Sequence, residues 1–177
     1  MDTLIKKPST NTENTMTSLT GDIPFYKPLG KEEEVFKHAY GCRIPVLLKG
    51  PTGTGKTRFV GYMANKLNRP LITISCHEET SSTDLIGRFI IKGAETIWMD
   101  GPLTKAIKIG AILYLDEIAE ARPDVIVAIH SLTDHRKELY LDKLGETIKA
   151  HKDFMLVASF NPGCQKGFKE LKASTRQ

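Results

Sequence analysis

Gly50-Pro51-Thr52-Gly53-Thr54-Gly55-Lys56-Thr57 decides the fold of this 177-residue chain. The octapeptide fills every position of the pattern G-x-x-x-x-G-K-[ST], which is typical of a phosphate-binding P-loop. The apolar residues 44–49 before it predict a buried strand, and residues 57–67 after it carry apolar side chains at helical spacing. A strand, a glycine-rich loop and a helix in this order predict a site where backbone N–H groups and the positive end of a helix bind phosphate. An ordinary glycine-rich turn is the alternative, and the flanking elements disfavour it.

The loop residues have predicted roles in binding a nucleoside triphosphate. Lys56 is expected to reach the β- and γ-phosphates, and the Thr57 hydroxyl is expected to ligand Mg²⁺. The predicted nucleotide-binding residues are Gly50, Pro51, Thr52, Gly53, Thr54, Gly55, Lys56 and Thr57. The sequence therefore predicts a nucleotide site that also holds a divalent cation.

Composition and charge exclude several classes of protein. With 40 % hydrophobic and 26 % charged residues, the chain is neither wholly disordered nor fibrous. The net charge of +4 comes without a Lys/Arg cluster interleaved with aromatic residues, which disfavours nucleic-acid binding. Three separated cysteines predict no disulfide framework and indicate a reducing compartment. Because the sequence has no apolar run of roughly 18 residues and no signal-peptide pattern, we expect a cytoplasmic protein without membrane insertion.

The order of elements predicts one α/β domain at residues 23–177, preceded by a disordered tail at residues 1–22 that is rich in Thr, Ser and Asn. Strands are predicted at 44–49, 71–76, 111–115 and 154–159, and hairpins around Gly93 and Gly145. Helices are predicted at 31–40, 57–67, 81–87 and 101–109, and further helices begin at 123 and at 168. In the first helix, Val35, Phe36 and Ala39 are expected on one face. Continuous apolar strands that alternate with helices predict a parallel sheet covered on both faces, which is a three-layer α/β/α sandwich.

The segment Leu113-Tyr114-Leu115-Asp116-Glu117 supplies the acidic partner that a P-loop needs. Its apolar residues predict a buried strand, with the two carboxylates exposed at the end. Asp116 is the predicted metal partner, acting through water, and Glu117 is predicted to polarise the attacking water. A solvated acidic turn is the alternative, which the position after a buried strand in a P-loop chain disfavours.

Asn161 follows the fourth predicted strand. Its amide beside the γ-phosphate could orient water and report whether that phosphate is present. An Asn-Pro turn is the alternative, and by itself it is the simpler interpretation. Ser159 is a weaker candidate for the same position.

Together these motifs resemble those of AAA+ ATPases of the MoxR group, and within it the NirQ/NorQ/CbbQ branch. The resemblance extends from about residue 24 to the end of the chain and depends on the order and spacing of several segments. These are Gly50-Pro51-Thr52-Gly53-Thr54-Gly55-Lys56-Thr57-Arg58-Phe59-Val60, Asp84-Leu85-Ile86-Gly87-Arg88, Trp98-Met99-Asp100-Gly101-Pro102-Leu103, Tyr114-Leu115-Asp116-Glu117-Ile118-Ala119-Glu120-Ala121-Arg122 and Ser159-Phe160-Asn161-Pro162-Gly163.

The resemblance implies an ATPase that converts ATP and water to ADP and phosphate, with ATP and Mg²⁺ as cofactors and with Glu117 and Asn161 as catalytic residues. It also implies a homo-oligomeric ring, commonly a hexamer, that works with a von Willebrand A-domain protein. Such a ring remodels or activates a client metalloenzyme, such as nitric oxide reductase or Rubisco. The hairpin at 89–98 would face the pore or the client, and the one at 141–147 would precede the sensor strand. Plain surface connections are the alternative for both hairpins, and a core aromatic is the alternative for Trp98.

The chain departs from the family pattern near its C-terminus. Arg122 could reach an adjoining subunit or form a local salt bridge. Arg176 is a candidate for the arginine finger, but the resemblance places the arginine that has this role in the family just beyond Gln177. The fifth strand and the helical lid are expected to be absent, so the chain is interpreted as C-terminally truncated. We expect it to bind nucleotide weakly and to hydrolyse it slowly.

Two alternative functions carry their own sequence requirements. A σ54-dependent transcription regulator needs a GAFTGA-like loop and a DNA-binding domain, whereas the corresponding loop here reads Ile86-Gly87-Arg88-Phe89-Ile90. A small P-loop kinase needs an arginine-bearing lid and a second substrate pocket, whereas Asp116 and Glu117 favour water activation.

Overall fold

The computed structural model describes residues 16–17 and 25–162. The strands within them are β1 (Met16–Thr17), β2 (Val46–Lys49), β3 (Leu71–Ser75), β4 (Gly87–Lys92), β5 (Glu95–Asp100), β6 (Ile112–Asp116), β7 (Glu138–Leu141), β8 (Glu146–Lys149) and β9 (Met155–Phe160). The helices are α1 (Glu32–Gly41), α2 (Lys56–Lys66), α3 (Ser82–Ile86), α4 (Pro102–Ile109) and α5 (Pro123–Thr133), and a 3-10 turn spans Ile118–Glu120. The predicted elements between residues 31 and 159 are therefore present, with bounds that differ by one to a few residues.

Some predictions fall on residues that the structure does not describe. Of the predicted tail at 1–22, only Met16–Thr17 is described, and this strand pairs antiparallel with β3. The helix predicted from residue 168 and the candidate Arg176 lie outside the described residues. Those expectations stay predictions.

Five strands form one sheet in the order β1-β3-β6-β9-β2. The four longer strands run parallel, with Leu71 opposite Ile112, Ile112 opposite Met155, and Val46 opposite Val157. Only β1 is antiparallel among the described strands of this sheet. The predicted parallel sheet is confirmed.

The sheet separates two hydrophobic cores, because successive strand residues point to opposite faces. The central strand β6 shows this alternation, and Ile112, Leu113, Tyr114 and Leu115 are all 0 % exposed. The core on the side of α1 and α2 includes Phe36, Phe59, Val60, Met63, Ile112, Tyr114 and Val157. The core on the side of α4 and α5 includes Leu103, Ile107, Leu113, Leu115, Val125 and Ile129. The fold is therefore the predicted three-layer α/β/α sandwich.

Helix α1 packs two of the three side chains predicted on its apolar face, Phe36 and Ala39, against the core. Phe36 is 2 % exposed, but Val35 is 64 % exposed, so the prediction that Val35 shares an apolar face with Phe36 is wrong. Adjacent helical residues are about 100° apart, and the face toward the core passes through Phe36, Ala39 and Tyr40. The helical period therefore places Val35 in solvent.

Both predicted hairpins are present. Strands β4 and β5 pair over six residues each around a turn with Gly93 at φ 66°, and β7 and β8 pair over four residues each with Gly145 at φ 65°. The β4–β5 hairpin lies between α3 and α4 in the chain. Its base is fixed by two hydrogen bonds to the Ile86 carbonyl, from the Gly101 N–H at 2.8 Å and from the Thr104 hydroxyl at 2.6 Å.

Parallel pairing brings the carboxyl ends of β2, β6 and β9 to one edge of the sheet. The P-loop follows β2, Asp116 ends β6, and Asn161 follows β9. The candidate residues therefore meet because of strand order, although they are far apart in sequence. In the part of the chain that the structure describes, none of the helices combines the length and apolar character that crossing a membrane requires.

Candidate nucleotide site

The loop after β2 has the backbone conformation of a phosphate-binding loop. Gly53 and Gly55 have φ angles of 84° and 83°, in the left-handed region that favours glycine. A Cβ at either position would meet no heavy atom of the described residues within 4 Å, so conformation rather than space requires glycine there. Gly55 is the N-cap residue of α2, and no side chain of the described residues caps this helix start. Its N–H groups are therefore directed at the loop, where an anion would bind.

Lys56 lies over the same loop. Its Nζ donates to the backbone carbonyls of Gly50 and Pro51, at 2.9 Å each. None of the ion pairs between described residues involves Lys56. The ammonium therefore adds positive charge at the loop without a carboxylate counter-ion from the described chain.

Thr57 and Asp116 lie in contact although they are separated by 59 residues. The Thr57 hydroxyl donates to Asp116 Oδ2 at 3.2 Å. A hydroxyl and a carboxylate are hard oxygen ligands of the kind that Mg²⁺ prefers. The two residues predicted to hold the metal are thus brought together by the fold.

The other oxygen of Asp116 accepts hydrogen bonds from two further hydroxyl groups, which the sequence pattern alone does not place there. Tyr114 donates to Asp116 Oδ1 at 2.7 Å, and Ser159 donates to the same atom at 2.5 Å. Ser159 is 0 % exposed and Tyr114 also lies 3.5 Å from the Thr57 hydroxyl. The sequence pattern presents Tyr114 as an apolar residue of a buried strand, and its one signal of a further role is a hydroxyl two residues before the carboxylate, on the same face of β6.

Glu117 has an unusual backbone conformation. Its φ of 55° and ψ of 48° are left-handed, and its N–H donates to the Ser159 hydroxyl at 2.8 Å. A glutamate in this region is uncommon and costs of the order of 1 kcal/mol or more. The bend turns the chain from β6 into the 3-10 turn, and Glu117 lines the same cavity as the loop.

Asn161 contacts the loop directly. Its Nδ2 donates to the Thr52 hydroxyl at 2.8 Å. The amide predicted to lie beside the γ-phosphate is therefore at the P-loop, and Thr52 is its contact there.

The cavity at this edge has a volume of about 440 Å³. Seven of its eight lining residues were singled out from the sequence, and Arg58 was not. The lining residues are Thr52, Gly53, Gly55, Lys56, Thr57, Arg58, Asp116 and Glu117. Arg58 directly follows the P-loop motif and belongs to the first segment of the family resemblance, but the sequence predicts no role for it at the site.

Burial perturbs two groups beside Asp116. Burial raises the pKa of the Tyr114 hydroxyl to about 12, with Asp116 adding to the rise and the Ser159 and Thr57 hydroxyls opposing it. Burial, together with the negative charges of Asp116 and Glu117, raises the pKa of the Cys76 thiol to about 12. Both groups are therefore neutral near pH 7, so Tyr114 is a hydrogen-bond donor to the carboxylate.

These residues fit a nucleoside triphosphate with Mg²⁺. The loop supplies backbone N–H groups, Lys56 supplies a cation, and Thr57 with Asp116 supplies an oxygen donor pair. The carboxylate has a hydroxyl on each oxygen but, among the described residues, no cation partner within 4.0 Å. A divalent cation would supply that missing positive charge.

Two further candidates lie away from the cavity lining. Arg122 forms an ion pair with Asp124, with Nε 3.3 Å from Oδ1. This is the local salt bridge, one of the two alternatives that the sequence allows for Arg122. Trp98 is half-buried, packs edge-to-face on Phe89 in the first hairpin and donates to Asp100 at 2.8 Å. Trp98 therefore supports the hairpin and lies outside the main cores.

Comparison with known proteins gives a consistent result. The family model described as AAA domain (dynein-related subfamily) matches residues 45–177. Protein NorQ of Paracoccus denitrificans (strain Pd 1222) is 59 % identical over 156 residues, which is 88 % of this chain and 58 % of that protein. Protein CbbQ of Hydrogenophilus thermoluteolus is 57 % identical over 87 % of this chain and 58 % of its own length. The denitrification regulatory protein NirQ of Stutzerimonas stutzeri is 53 % identical over 91 % of this chain and 58 % of its own length.

The fold is also found in a solved structure from Cytophaga hutchinsonii ATCC 33406. The TM-score is 0.59 at 21 % identity, covering 78 % of this chain and 41 % of the other. This likeness supports the fold alone. The chain spans somewhat over half the length of the curated relatives that it matches, 58 % in each of the three cases given.

Proposed function

Because this chain belongs to the AAA domain family, dynein-related subfamily, and within it resembles the NorQ, CbbQ and NirQ proteins, we propose that it binds ATP with Mg²⁺ and hydrolyses it. The observation that carries the proposal is the 3.2 Å contact between the Thr57 hydroxyl and Asp116 Oδ2. It joins the phosphate-binding loop to the acidic strand end, and ATP hydrolysis needs both.

The binding half of the site uses the loop and the start of α2. Backbone N–H groups of the loop bind phosphate oxygens, and Lys56 neutralises the β- and γ-phosphates. Thr57 and Asp116 are the residues that would hold Mg²⁺, which supplies charge neutralisation when it is bound. The eight residues of the P-loop octapeptide form the proposed nucleotide-binding set.

The hydrolytic half of the site uses Glu117 and Asn161. Glu117 accepts a proton from water as the water oxygen bonds to the γ-phosphorus, and the bond from that phosphorus to the β–γ bridging oxygen breaks. Asn161, held at the loop by Thr52, orients that water. The products are ADP and phosphate.

The proposal extends to assembly and partners. We propose a homo-oligomeric ring in the cytoplasm that acts with a von Willebrand A-domain protein on a client metalloenzyme. The support is the family membership together with the identity to proteins named NorQ and CbbQ. A hexamer is the size that the family resemblance implies, and rings of this family place the nucleotide between subunits. Light scattering with and without ATP tests the assembly.

The test of hydrolysis is Glu117→Gln. The amide keeps the size of the side chain but cannot accept the proton, so we expect phosphate release to fall at least a hundredfold, as for loss of a general base. Binding of a fluorescent ATP analogue should stay within a factor of about three, because the loop and Thr57 are untouched. Glu120→Gln is the matched control, since Glu120 lies in the adjacent 3-10 turn and does not line the cavity. Unchanged phosphate release by Glu117→Gln would remove Glu117 from this role.

A further inference from the structure

We propose that the hydroxyl groups of Tyr114 and Ser159 are positioning groups that fix the orientation of the Asp116 carboxylate for binding the Mg²⁺–nucleotide. The inference rests on the proposed function and adds two residues to it. It gives buried residues of β6 and β9 a role in metal binding, in addition to the roles of the P-loop and of Asp116 and Glu117.

The two oxygens of the Asp116 carboxylate accept hydrogen bonds from different residues. Asp116 Oδ1 accepts from Tyr114 at 2.7 Å and from Ser159 at 2.5 Å. Asp116 Oδ2 accepts from Thr57 at 3.2 Å, on the side of the cavity. Two short hydrogen bonds on one oxygen oppose rotation of the carboxylate, so the other oxygen stays directed at Thr57.

The direction of each hydrogen bond is fixed by its neighbours. The Ser159 oxygen accepts from the Glu117 N–H at 2.8 Å, which leaves its single proton for Asp116. The Tyr114 hydroxyl lies 2.7 Å from a carboxylate oxygen that can only accept, so it donates as well. The same serine therefore ties both acidic residues of the site to β9.

The two hydroxyls belong to buried residues of two central strands. Tyr114 and Ser159 are both 0 % exposed, and their strands β6 and β9 are adjacent and parallel in the middle of the sheet. Tyr114 lies opposite Val157, two residues from Ser159 on β9. Close packing around these buried side chains restricts movement of both hydroxyls.

Packing alone does not explain the tyrosine. The ring of Tyr114 fills the core beside α2, and phenylalanine would fill the same volume without burying a hydroxyl. Burying a hydroxyl is unfavourable unless it is hydrogen-bonded, and here its closest hydrogen-bond partner is the proposed metal ligand. Groups that hydrogen-bond a metal ligand set its orientation, and their loss lowers metal affinity about 10- to 100-fold.

The experiment measures Mg²⁺ dependence of nucleotide binding in Tyr114→Phe and Ser159→Ala. A fluorescent ATP analogue is titrated into the full chain in EDTA, and then Mg²⁺ is titrated at a fixed nucleotide concentration. We expect the half-saturating Mg²⁺ concentration to rise about tenfold in each variant. The affinity in EDTA should stay within a factor of two, because the loop and Lys56 are unchanged. In the double variant the rise should exceed the product of the two single effects, since each hydroxyl partly replaces the other on the same oxygen.

Tyr40→Phe is the matched control. Its hydroxyl donates to the Asp153 carbonyl at 3.2 Å, away from the cavity, so its Mg²⁺ titration should match the wild type. Thermal melting separates the proposal from a structural role. A hydroxyl that only supports the fold would lower Tm in Tyr114→Phe and leave the Mg²⁺ titration unchanged, and that result overturns the proposal.

The remaining outcomes are also decisive. If one variant fails to fold, the other gives the test; if both fail, the hydroxyls serve the fold and the proposal is wrong. A wild-type chain whose nucleotide binding does not respond to Mg²⁺ contradicts the proposed function itself. A wild-type response that both variants reproduce contradicts only the positioning role.

Discussion

The substitution Gly101→Ala tests how the first hairpin is held. A Cβ at Gly101 would lie 2.3 Å from the Leu85 carbonyl oxygen and 2.8 Å from the Ile86 carbonyl carbon. Its φ is −76°, which any residue adopts, so the expected effect is steric and not conformational. Because the clashing atoms belong to the backbone of the last two residues of α3, they cannot move aside as a flexible side chain does. The base of the hairpin must shift instead.

The magnitude follows from this geometry. Overpacking in a well-packed region costs about 1–3 kcal/mol, and backbone contacts well under 3.0 Å place this case at the upper end. For a domain of this size, each kcal/mol lowers Tm by about 2–4 °C, so a loss of about 3 kcal/mol lowers Tm by about 6–12 °C. The shift also threatens the two hydrogen bonds to the Ile86 carbonyl, one of them from the Gly101 N–H itself.

Calorimetry of Gly101→Ala against Gly41→Ala provides the assay. Gly41 lies at the end of α1, and a Cβ there would meet nothing in the described residues within 4 Å. Alanine at a helical position favours folding by up to about 1 kcal/mol, so Gly41→Ala should match or exceed the wild-type Tm. Nucleotide binding should survive in both variants, since neither residue lines the cavity. Equal Tm values for the two variants would show that the base of the hairpin has room to move and would refute the steric argument.

Two predictions concern pH and chemical reactivity. Burial, and after it the charges of Asp116 and Glu117, raises the pKa of the Cys76 thiol to about 12, whereas Cys42 is exposed. Iodoacetamide at pH 8 should therefore alkylate Cys42 well before Cys76, as measured by peptide mass spectrometry. Equal alkylation rates would contradict the burial of Cys76. The pKa of Tyr114 is raised from 10.0 to about 12, so its contribution to stability is complete below pH 10 and is lost as pH rises toward 12. Between pH 10 and 12, the free energy of unfolding should therefore fall less in Tyr114→Phe than in the wild type. Identical pH profiles of the two proteins in urea unfolding would contradict the raised pKa of Tyr114.

The four parallel strands and their approximate bounds could be predicted from the sequence, because these features depend on local patterns. Continuous apolar runs bounded by turn residues predict β3, β6 and β9. P-loop chemistry assigns Thr57 and Asp116 to one site, and the structure brings them into contact. The same reasoning placed Val35 on an apolar face because it is apolar and adjacent to Phe36. Helical geometry separates such neighbours by about 100°, and Val35 lies in solvent.

The hydroxyl groups beneath the site could not be predicted in the same way. Tyr114 reads as one more large residue of a buried strand, and Ser159 as a candidate for the position of Asn161. Their role depends on the register of β6 against β9, which places Tyr114 opposite Val157 and Leu115 opposite Ala158. Register is a tertiary property, since a slip of one residue would turn each side chain to the other face of the sheet.

The conformation of Glu117 links this register to the proposed hydrolysis. A left-handed glutamate is costly, and here two hydrogen bonds stabilise it, one from its N–H to Ser159 and one from the Glu120 N–H to its carbonyl. Ser159 therefore orients Asp116 through its proton and holds the bend at Glu117 through its oxygen. Because one side chain serves both acids, loss of the Ser159 hydroxyl should affect metal binding and hydrolysis together, whereas loss of the Tyr114 hydroxyl should act on metal binding first. A comparison of half-saturating Mg²⁺ with phosphate release at saturating Mg²⁺ in Ser159→Ala and Tyr114→Phe separates these effects, and equal losses of both quantities in the two variants would contradict this division of roles.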